Sequence, residues 1–266
     1  MNPAALPSPP SRRFPRDAYD WAWLLFLVWT AVGFVVMPLG VTAPQVRGWV
    51  PAGLGGLAAG VLNVSDAVWM LLAAVTAYLH AVGSEGHVTA RRQAALVLLA
   101  STAFEWLGAR TGFPFGPYEY TDRFGPRIAG VVPMAIPMAW LVVVLCGRNL
   151  VLWLRPQAGR PVVASGTALA ATLTDLNLEP VAWHIRQYWL WYPAQDPPPS
   201  LFPPWQNYAA WFVLSFALAW ALPTDHRLRL RQPSRLRPVV LLLLMNALLA
   251  LVHLSANWRH PPPVGG

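Results

Sequence analysis

Seven long apolar segments are the main feature of this sequence of 266 residues. A helix needs about 20 mostly apolar residues to cross a bilayer, and each segment is close to that length. The segments cover residues 21–41, 66–82, 94–109, 128–146, 161–181, 205–222 and 239–257. We therefore predict an all-α, polytopic transmembrane helix bundle of about seven spans.

The composition agrees with a membrane protein and argues against a soluble domain. Charged residues make up only 11% of the chain, and hydrophobic residues make up 56%. Ordinary soluble domains carry about 25% charged residues. We predict one transmembrane domain over residues 21–258. A disordered, proline-rich tail is expected before it (residues 1–20), and a short tail after it (residues 259–266).

Arginine placement predicts the orientation of the bundle. With seven spans, 13 of the 19 arginines fall on one side and 6 on the other, and the richer side is expected to be cytoplasmic. We therefore predict a multi-pass protein of the cell membrane with a cytoplasmic N-terminus. Residues 50–62 form a short, glycine-rich apolar segment that would break this alternation as a full span. It is expected to be re-entrant, interfacial or an extension of the second helix.

Charge and motif searches exclude several functions. The net charge of +8 comes from arginines in short loops, so it reflects topology and gives no reason to expect a nucleic-acid partner. The sequence has no HExxH, Walker or GxSxG motif and no Cys or His cluster, so we predict no metal site. The lone Cys146 lies in an apolar segment and is expected to be inert.

Four carboxylates at membrane depth are the candidate chemical groups, because a buried charge in a bilayer is costly and usually functional. Asp175 and Glu179 are four residues apart and share one helix face. Such a pair can share a proton and supply an acid and a base. The alternative is a structural network in which Arg186 or Asn177 satisfies the pair.

The other two carboxylates are Glu105 and Asp66. Glu105 lies near the outer end of the third segment, on the predicted side of Glu179, and an ion pair with Arg110 is its structural alternative. Asp66 stands at the predicted start of the second helix, where Asp is favoured, so a structural role is expected.

The loop of residues 112–120 (GFPFGPYEY) combines turn residues with four aromatic rings. It could belong to an interfacial aromatic belt together with Trp189 and Trp191. Alternatively, it forms a rigid mouth for a long apolar ligand that enters from the membrane. Aromatic faces there could also stabilise a carbocation.

Four motifs in order resemble the membrane-bound carotenoid biosynthesis family of pigmented bacteria and haloarchaea. They are FEWLGARTGFPFGPY (104–118), PMAIPMAW (133–140), DLNLEP (175–180) and WQNYAAWF (205–212). The likeness covers about residues 102–212.

The resemblance implies a carotenoid hydratase. Such enzymes add water to the terminal double bond of an acyclic end group, as in lycopene or γ-carotene, and use no redox cofactor. It implies that Asp175, Glu179 and Glu105 are catalytic. It also implies an end-group pocket formed by aromatic and polar side chains: Phe104, Trp106, Phe113, Phe115, Tyr118, Tyr120, Trp140, Trp183 and Asn207.

The expected partners are a lipid-soluble carotenoid, water, membrane lipids and other enzymes of the carotenoid pathway. Two rival functions remain. A membrane prenyltransferase would need a second Asp-rich cluster for Mg²⁺ and diphosphate, and the sequence has only one acidic pair. A non-catalytic carotenoid-binding protein would have little use for acids at membrane depth.

Overall fold

The computed structural model describes residues 17–41, 43–195, 202–223 and 236–259. Within them the chain is an all-α bundle, which confirms the predicted fold class. The predicted N-terminal tail (1–20) lies outside the described residues except for its last four positions, and the C-terminal tail (259–266) except for its first. The helices are α1 Ala18–Val36, α2 Ala43–Trp49, α3 Gly55–Glu85, α4 His87–Thr111, α5 Ala135–Leu154, α6 Arg160–Glu179, α7 Trp205–Ala221 and α8 Arg237–Arg259.

Among the described residues, four helices are long and apolar enough by themselves to cross a membrane: α1, α3, α5 and the Arg237–Ala256 part of α8. The described parts of α4, α6 and α7 are shorter or more polar, so the count of seven spans stays a prediction. Helix α5 lies at the centre and packs against α3, α4, α6, α7 and α8. Nearly every side chain from Ala139 to Arg148 is buried, because α5 is apolar on all its faces.

The structure changes the interpretation of the second predicted segment. Helix α3 runs without interruption from Gly55 to Glu85, so most of residues 50–62 extend this helix, one of the expected alternatives. A short 3₁₀ helix, Ala52–Leu54, precedes it. The prediction that Asp66 starts a helix is therefore wrong, because Asp66 lies 11 residues after Gly55 in the same helix.

Proline and glycine end helices near the site, as their backbone chemistry requires. Helix α6 ends at Glu179, since proline cannot donate a backbone hydrogen bond. A π-helical turn over Pro180–Ile185 follows it directly. Helix α4 ends at Gly112, which has a left-handed φ of 76° and donates its N–H to Gly108 at 2.7 Å. This left-handed cap turns the chain into the aromatic loop.

Four short strands lie in the part of the loops that the structure describes. Strand β1, Tyr118–Tyr120, pairs antiparallel with β4, Trp189–Trp191, and β2, Arg127–Ile128, pairs with β3, Val132–Pro133. The β1–β4 pair joins two loops that are about 70 residues apart in sequence. It places both loops over the ends of α4 and α6.

The opposite end of the bundle is held by buried polar contacts. Arg148 of α5 donates to Glu85 at the end of α3 at 2.5 Å, and also to the backbone oxygen of Pro223 after α7. Gln93 of α4 donates to Glu85 at 2.6 Å. Four helices are therefore joined around one ion pair.

Candidate functional site

The β1–β4 pair covers the site and presents four aromatic side chains to it. Its register sets Tyr118 opposite Trp191 and Tyr120 opposite Trp189. Because side chains alternate along a strand, these four rings are buried while Glu119 and Leu190 between them are exposed.

Strand β1 holds the carboxyl group of Glu105. The hydroxyls of Tyr118 and Tyr120 donate to its Oε2 at 2.9 and 2.6 Å. The indole N–H of Trp140, on α5, donates to Oε1 at 2.7 Å. All three partners are neutral donors, and the carboxyl is buried.

Strand β4 holds the carboxyl group of Glu179 in the same way. The indole N–H of Trp191 donates to its Oε2 at 2.9 Å, and that of Trp189 at 3.3 Å. The amide of Asn207, in the first turn of α7, donates to Oε1 at 3.0 Å. Each strand thus supplies two donors to one buried acid.

Asp175 is connected to Glu179 through Asn207. The Asn207 amide donates to Asp175 Oδ2 at 2.8 Å while it also donates to Glu179. Asp175 Oδ1 is buried and has no hydrogen-bond partner among the described residues. A buried carboxyl oxygen without a partner is costly, so Asp175 is the least satisfied acid of the three.

Glu105 and Glu179 line one cavity. Its volume is about 40 Å³, which exceeds the roughly 10–15 Å³ that one water needs, so it can hold more than one water. Aromatic rings dominate its wall. The aromatic lining residues are Phe115, Tyr118, Tyr120, Phe124, Trp140, Trp189, Trp191 and Trp211.

The rings are packed in fixed relative orientations. Trp140 stacks on Trp211 with centroids 4.2 Å apart, and Tyr118 lies 5.3 Å from Trp191. Ring faces carry negative electrostatic potential and attract cations. Such a wall can stabilise a positively charged carbon while it excludes bulk water.

Both tyrosines of β1 remain hydrogen-bond donors. Burial, followed by the adjacent Glu105 carboxyl, raises the pKa of Tyr118 and of Tyr120 far above the ordinary value for a phenol. Their hydroxyl protons therefore stay in place at neutral pH, and both can hold Glu105 in a fixed orientation.

Five of the nine predicted pocket residues line this cavity: Phe115, Tyr118, Tyr120, Trp140 and Asn207. The other four lie elsewhere. Phe104, Trp106 and Phe113 are exposed on the outer surface of the bundle, and Arg110 lies over the Trp106 ring at 5.3 Å. Trp183 is buried but stacks on His184 and is absent from the cavity wall.

The contacts considered as structural alternatives for the acids do not occur, because Arg110, Arg186 and Asn177 interact with other residues. Arg110 stacks on Trp106 and forms no ion pair with Glu105. Arg186 pairs with Asp66 at 2.5 Å. Asn177 donates to Asn246 of α8 at 2.7 Å. Asp175 and Glu179 are bonded by Asn207 and the β4 indoles instead.

Sequence reasoning missed part of the cavity wall. It treated Trp189 and Trp191 as interfacial aromatics, and it gave no role to Phe124 or Trp211. The alternation of Trp189-Leu190-Trp191 was a signal for a half-buried strand. Trp211 lies in one of the four resembling motifs, one helical turn after Asn207.

These features define a class: a membrane helix bundle with a small cavity that is lined by two buried acids and by aromatic rings. The profile of the carotenoid biosynthesis protein family matches residues 65–265. The chain belongs to that family.

A curated relative narrows the comparison. The chain is 35% identical over 128 residues to the bisanhydrobacterioruberin hydratase of Haloarcula japonica, an alignment that covers 46% of this chain and 42% of the relative. The chain therefore spans less than half the length of that relative. No solved structure matches the chain.

Proposed function

We propose that this protein is a carotenoid hydratase that adds water across the terminal C1=C2 double bond of an acyclic end group. The observation that carries the proposal is the single cavity in which Glu105 and Glu179, two buried acids, face an aromatic wall. The relative named as a hydratase supports the same reaction class. Lycopene and γ-carotene are the proposed kinds of substrate.

The proposed reaction is acid-catalysed hydration. A protonated carboxyl group transfers H⁺ to C2, and the π electrons form the new C–H bond and leave a tertiary cation at C1. A water molecule adds to C1, and a carboxylate removes one of its protons. The product is a tertiary alcohol. The acid is then ionised and the base protonated, and transfer of one proton from the base back to the acid through water in the cavity restores the enzyme.

Glu105 and Glu179 are the proposed acid and base, in either order, because both touch the cavity. Each accepts hydrogen bonds from three neutral donors, which orient the carboxyl group and favour its ionised form less strongly than a guanidinium partner would. Rings such as Trp140 and Trp211 face the position where the cation would form, and this electrostatic stabilisation is usually a large part of catalysis.

Asp175 is proposed to hold a proton beside this pair. It lies behind Asn207, and its Oδ1 is free of hydrogen bonds among the described residues. The neutral acid avoids an unpaired buried charge. One amide joins Asp175 to Glu179, so a change of protonation at one acid affects the other.

Expression in a lycopene-producing bacterium tests the proposal. We expect pigment that has gained one water mass for each hydrated end, and we expect purified protein to give the same product in detergent with EDTA present. Pigment that is retained unchanged would favour a binding protein. Activity that requires Mg²⁺ and a prenyl diphosphate would favour a prenyltransferase. Either result would overturn the proposal.

A further inference from the structure

Two further cavities lie on the other side of α3 from the cavity that Glu105 and Glu179 line, which we call the reaction cavity. The first is a groove between α1, α2 and α3 with a volume of about 410 Å³. The second is more polar and has a volume of about 540 Å³. Both cavities are lined by Val41, Leu62, Asp66 and Arg186, so one continuous space has an apolar part and a polar part.

The apolar part follows one face of α1. Its α1 lining residues recur every three or four positions, from Val28 through Val32 to Val36, a distance of about 12 Å along the helix axis. The opposite wall is mostly apolar as well and includes Val61 and Trp69. The groove has the length and polarity for an extended alkyl chain.

The polar part carries unneutralised positive charge. Arg186 donates to Asp66 at 2.5 Å, but its buried Nε has no hydrogen-bond partner among the described residues. Arg123 also lines this part, and its guanidinium group forms no ion pair with any of the described residues. Asp122, the other acid in the wall, is paired with Arg127 at 2.8 Å.

Tyr188 completes the polar wall without adding negative charge. Its hydroxyl donates to Asp66 at 2.6 Å, and burial raises its pKa well above the ordinary value, with the Asp66 carboxylate the next cause. The phenol therefore stays neutral. Arg127, which pairs with Asp122, adds a third guanidinium group to Arg123 and Arg186. These three outnumber the carboxylates of Asp66 and Asp122 by one, which leaves one excess positive charge at this end of the groove.

We propose that the joined cavities bind one anionic phospholipid, with an acyl chain along α1 and its phosphate group at Arg123 and Arg186. Guanidinium groups bind phosphate through several charge-assisted hydrogen bonds. Helix α3 separates this lipid from the reaction cavity, because Trp69 lines the groove while the adjacent Met70 lines the reaction cavity.

The test is native mass spectrometry of the detergent-purified protein with equal amounts of dioleoyl phosphatidylglycerol and dioleoyl phosphatidylcholine. We expect one bound phosphatidylglycerol, at least fivefold preferred. Val32→Trp fills the groove and Arg123→Gln removes a headgroup contact, so each should reduce that binding at least fivefold. Circular dichroism should show unchanged helix content, because both side chains are exposed.

Two matched variants control for non-specific lipid. Val35 is equally exposed on α1 but lies outside the groove, and Arg110 lies at the same end of the bundle outside both cavities. Val35→Trp and Arg110→Gln should bind lipid like the original protein. Equal binding of the two lipids, or equal loss in the control variants, would overturn the proposal. Displacement of the lipid by inorganic phosphate, with no effect of Val32→Trp, would indicate an ion site instead.

Discussion

At the scale of single residues, the three site acids share one property: their hydrogen-bond partners are neutral. Glu105 and Glu179 accept from phenols, indoles and one amide. The buried Arg148 pairs with Glu85, and the half-buried Arg186 pairs with Asp66. A guanidinium partner would favour the ionised carboxylate strongly, and neutral donors favour it less, so these carboxyl groups are better suited to gain and lose a proton than a carboxylate in an ion pair.

The isosteric amides test this assignment. Glu105→Gln, Glu179→Gln and Asp175→Asn preserve shape and much of the hydrogen bonding but remove the transferable proton. We expect each to lower the hydration rate by about 10²-fold or more, the usual contribution of a general acid or base. The measurement is product formation per folded molecule, with protein amount and carotenoid retention checked in parallel.

Glu119→Gln is the matched control for these variants. Glu119 lies between Tyr118 and Tyr120 on β1 but points outward, so its change should leave the rate unaffected. If the Asp175→Asn, Glu179→Gln double variant keeps nearly full activity, the acidic pair has no part in the acid–base chemistry. Glu105 would then be the only remaining acid in the cavity.

At the scale of elements, the β1–β4 pair determines the geometry of the site. Two strands of three residues each bring four donors to two acids that stand on different helices. Trp140 and Asn207 add one donor each from α5 and α7. The acids come from helices, which are rigid, and the orienting donors come mostly from the loops that cover them.

This division explains what the sequence could predict. Glu105, Asp175 and Glu179 were identifiable because an acid at membrane depth is unusual. The pairing of Tyr118 with Trp191 was not, because it joins loops 73 positions apart and three-residue strands have little local signal. Phe104 and Trp106 flank Glu105 in sequence, yet a helix turns adjacent residues to different faces, so they point away from the cavity.

Gly108→Ala tests the contact between α4 and the strand pair. A Cβ at Gly108 would lie 2.6 Å from Phe115 Cδ2 and 2.8 Å from the Tyr118 hydroxyl oxygen, and that hydroxyl holds Glu105. Alanine favours a helix over glycine by roughly 1 kcal/mol, so helix content should not fall. We expect the hydration rate to fall by about 10- to 10²-fold, the scale of a 1 Å misplacement.

Gly60→Ala is the control for that variant, because Gly60 lies in α3 with no atom within 4 Å of the place that an alanine methyl group would take. Gly60→Ala should leave the hydration rate unchanged. Carotenoid binding by Gly108→Ala should be measured as well, because it distinguishes slower chemistry from weaker binding. A displaced Tyr118 should lower the turnover rate more than the amount of carotenoid bound. Unchanged turnover in Gly108→Ala would show that the position of Tyr118 does not matter for the reaction.

At the scale of the whole molecule, the two ends of the bundle have different roles. The β1–β4 pair, the acids and the cavity lie at one end. At the other end Arg148 joins Glu85 and the chain after α7, Arg237 of α8 pairs with Asp20 of α1 at 2.6 Å, and Tyr19 bonds His80 at 3.0 Å. These contacts join helix ends that the predicted alternation assigns to the cytoplasmic side.

The orientation of these ends in the membrane is the final prediction. The arginine-rich side is expected to be cytoplasmic, because translocation of positively charged short loops is disfavoured. Reporter fusions after Arg92, Arg160 and Arg231 should all report the cytoplasm. A fusion after Arg123, in the loop between β1 and β2, should report the outside. In that orientation the reaction cavity would lie near the outer surface, where water could enter between the loops. A cytoplasmic signal from the Arg123 fusion, or an outside signal after Arg160, would show that the alternation of seven spans is wrong.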